Sequence, residues 1–146
     1  MVIRNYRPRD FPQLMDLWKE TGIYTVERGD TEKIILRTID RGGRLLVMED
    51  PSGKVRGSSW MTWDGRRVFL HHFAIGPEIQ GQGFGRRLAL ASLDFAATLK
   101  APMKLEVHRE NTPAVNLYRS LGFQIFEDYD TYMILDPGSG GRPHAP

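Results

Sequence analysis

The chain contains no cysteine, and this excludes disulfides, thiolate metal sites and a cysteine nucleophile. It has no long apolar run either, so no membrane span is expected. The opening stretch MVIRNYRPRD lacks the apolar segment of a signal peptide, and a cytoplasmic protein is expected. Neither sign of charge dominates: 20 Lys and Arg stand against 18 Asp and Glu, a net charge of +2. There is no basic run or aromatic–basic stripe, so nucleic acid is not expected as a partner. What is present is 146 residues, 40% hydrophobic and 26% charged, the size and composition of one domain with a sizeable core.

The chain is organised around 68–99: VFLHHFAI, then GPEIQGQGFGRR, then LALASLDFAATL. This reads as a buried strand, a glycine-rich turn and a long amphipathic helix. Gly81, Gly83 and Gly85 let the backbone turn tightly and let a ligand approach its N–H groups. The first amides of the following helix have no partner within it, and the helix dipole adds positive character there. The combination is an anion site suited to phosphate or pyrophosphate, with Arg86 and Arg87 beside it. It is not a Walker loop, because the Lys-Ser/Thr pair is missing. Nor is it G-x-G-x-x-G, because Arg86 stands where the third glycine belongs.

The pattern present is Gln80-x-x-Gly83-x-Gly85, directly after a strand. It resembles the acetyl-CoA pyrophosphate loop of the GNAT superfamily of acyl-CoA-dependent N-acyltransferases. A second block, Asn111-Thr-Pro-Ala114-Val-Asn-Leu-Tyr118-Arg-Ser-Leu-Gly122-Phe123, is similar to the family's Asn-x-x-Ala…Tyr…Gly-Phe segment. The two blocks come in the family's order, and the resemblance covers nearly the whole chain. Its N-terminal part matches only in the pattern of elements.

In order, Val2–Tyr6 reads as a strand. Asp10 is suited to capping a helix that carries Pro12 in its first turn and Leu14, Leu17 and Trp18 on one face. Asp30 or Thr31 starts a second helix with Ile34, Ile35, Thr38 and Ile39 as its stripe. The loop between them holds Tyr24, Glu27 and Arg28. In the family this region often lines the acceptor site; the alternative is a solvated connection. Arg44–Glu49, Val55–Trp63 and Arg66–Ile75 read as an antiparallel meander, with Asp64-Gly65 as a hairpin turn. A helix over 84–99, a strand over 104–108, a helix over 112–121 ended by Gly122, and a last hairpin of 124–127 with 131–135 complete the pattern. The glycine-, proline-rich end from Pro137 is expected to be a disordered tail.

The fold class is therefore mixed α/β, with no internal repeat. The resemblance implies a central, mostly antiparallel twisted sheet of about seven strands, flanked by four helices and splayed between the fourth and fifth strands. It also implies one N-acetyltransferase domain over 1–136. The implied activity is transfer of an acetyl group from acetyl-CoA to a primary amine by direct attack in a ternary complex. The acceptor could be a small molecule, an amino acid or a protein amine. A non-catalytic acyl-CoA-binding module and a nucleotide- or phosphate-binding protein are the alternative classes. Dimers are common in the family, which makes a homodimer an expectation.

Carried over residue by residue, the resemblance implies that pantetheine lies in the splay, on main-chain groups of Phe73, Ala74 and Ile75. The pyrophosphate falls to Gln80, Gly81, Gln82, Gly83, Phe84, Gly85 and Arg86. Asn111 would contact the pantetheine arm, with Ala114 and Tyr118 on the same helix. The alternative for Asn111 is a cap or turn residue of that helix. Tyr118 matches the family's general acid, and a phenol pKa near 10 suits donation toward a departing thiolate. A lysine-like amine is almost wholly protonated at neutral pH, so a proton acceptor helps its attack. His71 is the candidate, at a position where some family members carry a histidine. It shares strand parity with Phe69, Phe73 and Ile75, whereas adjacent His72 should point to the opposite face. His72, Glu106 or a water chain remain open, and Phe69 stands where the family often has glutamate. Diverging histidines and the lack of cysteine give no expectation of a metal.

Overall fold

The computed structural model of the chain describes residues 1–24 and 29–141. Its elements are β1 (Val2–Asn5), α1 (Phe11–Glu20), α2 (Glu32–Asp40), β2 (Arg44–Glu49), β3 (Val55–Trp63), β4 (Val68–Ile75), α3 (Phe84–Thr98), β5 (Met103–Leu105) and α4 (Thr112–Ser120). Among the described residues these strands form one sheet in the order β1-β2-β3-β4-β5. The first three pairings are antiparallel. β5 returns parallel to β4 through α3, because a parallel neighbour needs a crossover connection.

Helices cover both faces, and this explains why Leu45, Leu46, Val47 and Met48 are all buried. Their side chains alternate between two clusters. Leu45 and Val47 join Leu14, Leu17, Trp18, Ile35 and Trp60 beneath α1 and α2. Leu46 and Met48 join Met61, Val68, Leu70, Leu88, Phe95 and Tyr118 beneath α3 and α4.

Helix starts follow local chemistry. Thr31, not Asp30, caps α2, its side chain accepting from the amide of Ile34. Asp10 precedes α1 but makes no side-chain cap to it. Its carboxylate instead accepts from the Arg7 amide at 2.8 Å and from the Arg4 guanidinium at 2.7 and 2.9 Å. Glu49 takes Arg4 Nε at 2.7 Å, so one guanidinium ties β1, the turn into α1, and β2.

The sheet has five strands, not about seven. The hairpin expected over 124–127 and 131–135 does not form. Ile125, Phe126, Tyr129, Tyr132, Met133, Ile134 and Leu135 remain exposed. Short apolar runs form strands only where an edge accepts their hydrogen bonds. The outer edge available is β5, which runs for three residues instead of the expected five. The described end of the tail closes on itself through Ser139 and Gly140 amides bonded to Asp136 and Pro137 carbonyls. No helix among the described residues is long and apolar enough to cross a membrane.

Candidate functional site

β4 is the spine of the site. Val68, Phe69 and Leu70 pair with Met103, Lys104 and Leu105, and the pairing ends there. From His71 to Ile75, β4 has β3 as its one strand neighbour among the described residues, so its other edge opens beside β5. Pairing between the fourth and fifth strands stops at this position.

A bulge interrupts β4 within the open stretch. On β3, Ser58 and Trp60 are two positions apart; their partners Ala74 and His71 are three apart. The extra residue bends the strand and reverses side-chain parity beyond it. His72 sits there at φ +40, uncommon for a residue with a side chain. The buried Ser58 hydroxyl donates to the His72 carbonyl at 2.9 Å and accepts from Trp18 Nε1 at 2.9 Å.

This bulge corrects two expectations. His71 does not share a face with Phe73 and Ile75, which pack into the α3/α4 cluster. His71 stays with Phe69, its ring stacked at 4.3 Å, on the α1/α2 side. The two histidines do not diverge either. Both face Trp60, His71 at 6.1 Å and His72 at 5.2 Å between ring centroids. Even so, no group of three or more metal-ligating side chains converges among the described residues.

The histidines have different partners. His71 Nε2 lies 2.8 Å from Thr62 Oγ1. Burial, followed by the neighbouring His72, pulls its pKa from 6.5 to about 4, so it is neutral at pH 7. His72 Nε2 lies 2.7 Å from Asp30, and its ring meets the edge of Trp18 at 4.6 Å. Asp30, read from the sequence only as a helix start, is thus part of the site. Nothing in its sequence neighbourhood points to a residue more than forty positions away.

At the far end of β4 the glycine turn is built as an amide cradle. Gly83 is the N-cap of α3 at φ +84, and Gly81 has φ +73; a Cβ on either would meet nothing within 4 Å. The first helical bond runs from the Arg87 amide to the Gly83 carbonyl, so the amides of Phe84, Gly85 and Arg86 precede the helical ladder. Gln80 Nε2 donates to the Ile75 carbonyl at 2.8 Å and braces the turn against β4. Gln82 donates to the Glu78 carbonyl and Arg86 to Ser120 Oγ on α4. Gly85 faces Leu117 and Ile75, where a Cβ would lie in ordinary contact.

α4 supplies the remaining side chains. Asn111 is its N-cap, Oδ1 accepting from the Ala114 amide at 3.4 Å. Ala114 is half-buried in the α3/α4 cluster. Tyr118 is 8% exposed and stands edge-on to Phe73 and Phe123, at 6.0 and 5.5 Å. Burial raises its phenol to about 12, and its hydroxyl makes no hydrogen bond to protein among the described residues. Ala74 faces the α1/α2 cluster, between Phe73 and Ile75 on the other side. Glu106 is exposed beyond β5 and accepts from the Thr131 hydroxyl at 3.3 Å. Tyr24 is held by its amide to the Trp18 carbonyl; Glu27 and Arg28 lie outside the described residues.

Similarity to known proteins follows the same outline. A family model described as the acetyltransferase (GNAT) family matches residues 11–123. Acetyltransferase YE1169 of Yersinia enterocolitica is 26% identical over 92% of this chain and 93% of its own. The mycothiol acetyltransferase of an Arthrobacter species is 34% identical over 70% of this chain, which spans only 32% of that protein. In three dimensions, an acetyltransferase of Streptococcus agalactiae superposes with a TM-score of 0.75 at 24% identity, over 93% of this chain and 92% of that one.

Proposed function

The chain belongs to the GNAT family of acetyltransferases, and from that premise we propose that it transfers an acetyl group from acetyl-CoA to a primary amine. The observation that carries this reading is the course of β4. The strand leaves β5 after Leu70 and runs, with one edge open, into a turn whose amides precede the α3 ladder. An open strand edge accepts an extended ligand through main-chain hydrogen bonds. Pantetheine amides suit the edge at Phe73–Ile75, and the pyrophosphate suits the amides from Gln80 to Arg86. Asn111 already spends Oδ1 on its helix cap, leaving its amide N–H groups for the pantetheine arm.

Attack joins the amine nitrogen to the acetyl carbon, and the oxyanion that forms wants a donor; a main-chain N–H of Phe73–Ile75 serves. His71 is the proton acceptor. At about 4 its pKa lies far below that of a lysine-like amine, near 10.4. It therefore does not deprotonate the free ammonium; the acceptor loses that proton to solvent and attacks as the minor neutral amine. His71 takes a proton after C–N bond formation has made the nitrogen acidic. Collapse of the intermediate breaks the C–S bond and releases CoA thiolate. A phenol at about 12 facing a thiolate with an ordinary pKa near 8.5 favours a donated hydrogen bond over complete proton transfer. Tyr118 then stabilises the leaving group by that charge-assisted bond.

Calorimetric titration with acetyl-CoA, CoA and ATP, followed by thiol release over an amine panel, tests the reading. Micromolar binding of acetyl-CoA with none of ATP, and release with at least one amine, supports it. Binding without release across the panel would favour a non-catalytic acyl-CoA module. No binding of acetyl-CoA would remove the assignment.

A further inference from the structure

A cavity of about 340 Å³ lies on the α1/α2 side of the sheet and shares no lining residue with the proposed acetyl-CoA contacts. Its walls come from the end of β3, the β3–β4 turn, the start of β4, and β5. Aromatic and polar side chains form the inner wall: Phe69, Thr62 and His71. The outer wall is cationic, from Arg66, Arg67 and Lys104.

None of these three cations has a carboxylate within ion-pair distance among the described residues. The acid in the cavity wall is Asp64, whose Oδ1 accepts from the backbone amides of Arg66 and Arg67 at 2.7 and 2.6 Å. Those bonds hold Asp64 ionised, below the ordinary carboxylate range. The cavity therefore presents three positive charges against one negative. Lys104 is held over the Phe69 ring, 5.7 Å from its centroid, on the rim. β5 contributes Lys104 because its register sets that residue opposite Phe69. The volume is at the small end of ligand pockets, too small for a folded partner.

We propose that this cavity holds the acceptor, and that the acceptor is a small amine whose far end carries an anionic group, a carboxylate or phosphate. The inference rests on the acetyl-transfer reading and names its substrate class. The anion lies among Arg66, Arg67 and Lys104, the carbon chain runs along Phe69, and the amine meets His71. Two features of the site then belong together. His71 lines the cavity at one end and borders the open stretch of β4 at the other. Each exposed charge pair is weak alone, but three cations around one anion select by sign, and salt screens that selection.

Thiol release with saturating acetyl-CoA over four amines of similar length tests this in the full chain. These are aminovalerate, aminobutylphosphonate, pentylamine and cadaverine. The expected kcat/KM is ~10-fold or more higher for one or both anion-ended amines than for the neutral and cationic ones. That preference should shrink in high salt. Combined Arg66→Glu and Arg67→Glu should raise KM for the favoured amine ~10-fold while Kd for CoA holds. Should the double variant fail to fold, Lys104→Glu is read the same way. Equal or better use of pentylamine or cadaverine overturns the proposal, as does a preference that survives charge reversal. Acetyl-CoA binding without release for any amine would remove the transferase reading instead. The cavity is then judged by calorimetry of aminovalerate and pentylamine on the CoA complex. Selective binding of aminovalerate retains the anion site, and equal binding or none removes it.

Discussion

In the proposed reaction Tyr118 and His71 carry the chemistry, and burial pushes both toward their neutral forms. A buried phenol is harder to ionise, and Tyr118 rises to about 12. Tyr118→Phe keeps the ring contacts with Phe73 and Phe123 but removes the donor to the leaving thiolate. We expect kcat to fall on the order of 100-fold, with CoA affinity retained in calorimetry. Wild-type turnover in that variant would remove the role. His71 gives a stability prediction with a definite sign. Its folded pKa is about 4 against the ordinary 6.5. Between those values the unfolded chain binds a proton that the folded chain does not, so stability rises with pH across that window. His71→Gln should flatten this slope in urea melts taken at a series of pH values. An unchanged slope would assign it to another group. The role proposed for Tyr118 comes from its motif position. The state of His71 was not legible in the sequence, because burial depends on Trp60 and Phe69 meeting it in space.

At the scale of elements, the glycine turn and the bulge make the clearest contrast. The turn was legible because its geometry is local: Gly83 at φ +84 needs a residue without a Cβ, and that need is written in the sequence. Crowding is not the reason, since a Cβ there would meet open space. Gly83→Val acts through backbone strain. It should cost about 1–2 kcal/mol of stability and weaken acetyl-CoA binding ~10-fold, read by thermal melts and calorimetry. Unchanged CoA affinity would remove the turn from the binding site. The bulge left no such mark. A second histidine in a strand is only weakly suggestive of positive φ, and the residues that hold it, Ser58 and Trp18, lie on β3 and α1. Ser58→Ala leaves the His72 carbonyl and Trp18 Nε1 without that hydroxyl. A loss of about 1–3 kcal/mol in chemical denaturation is expected. A neutral effect would show that the strand holds its bulge without this bridge.

Over the whole molecule, two cores on opposite faces of one sheet bring distant segments together. The Arg4 clasp shows how few groups this takes, since it joins β1, β2 and the entry to α1 through Asp10 and Glu49. The Arg4 guanidinium, with help from the Arg7 amide, holds Asp10 below the ordinary carboxylate value of 3.8. The resulting stability is present above that pH and is lost as pH falls through the lower folded value. Asp10→Asn should cost about 2 kcal/mol at neutral pH. It should also lose part of the wild-type acid dependence in denaturant titrations. Equal acid dependence in both proteins would place the sensitivity elsewhere.

The sequence by itself determined the family, the order of the first nine elements, and the residues of the glycine turn and of α4. The family rests on the likeness of two motifs; the elements and the turn depend on periodicity, caps and glycine positions, all set within a few neighbouring residues. Only the tertiary structure decided which faces the histidines occupy, that Asp30 meets His72, and that Arg66, Arg67 and Lys104 surround one cavity. It also left 124–135 off the sheet, where a last hairpin had been expected. Face, register and pairing depend on what the rest of the chain places alongside. One extra residue in β4 reverses every side chain beyond it, and a three-residue β5 provides too short an edge to extend the sheet.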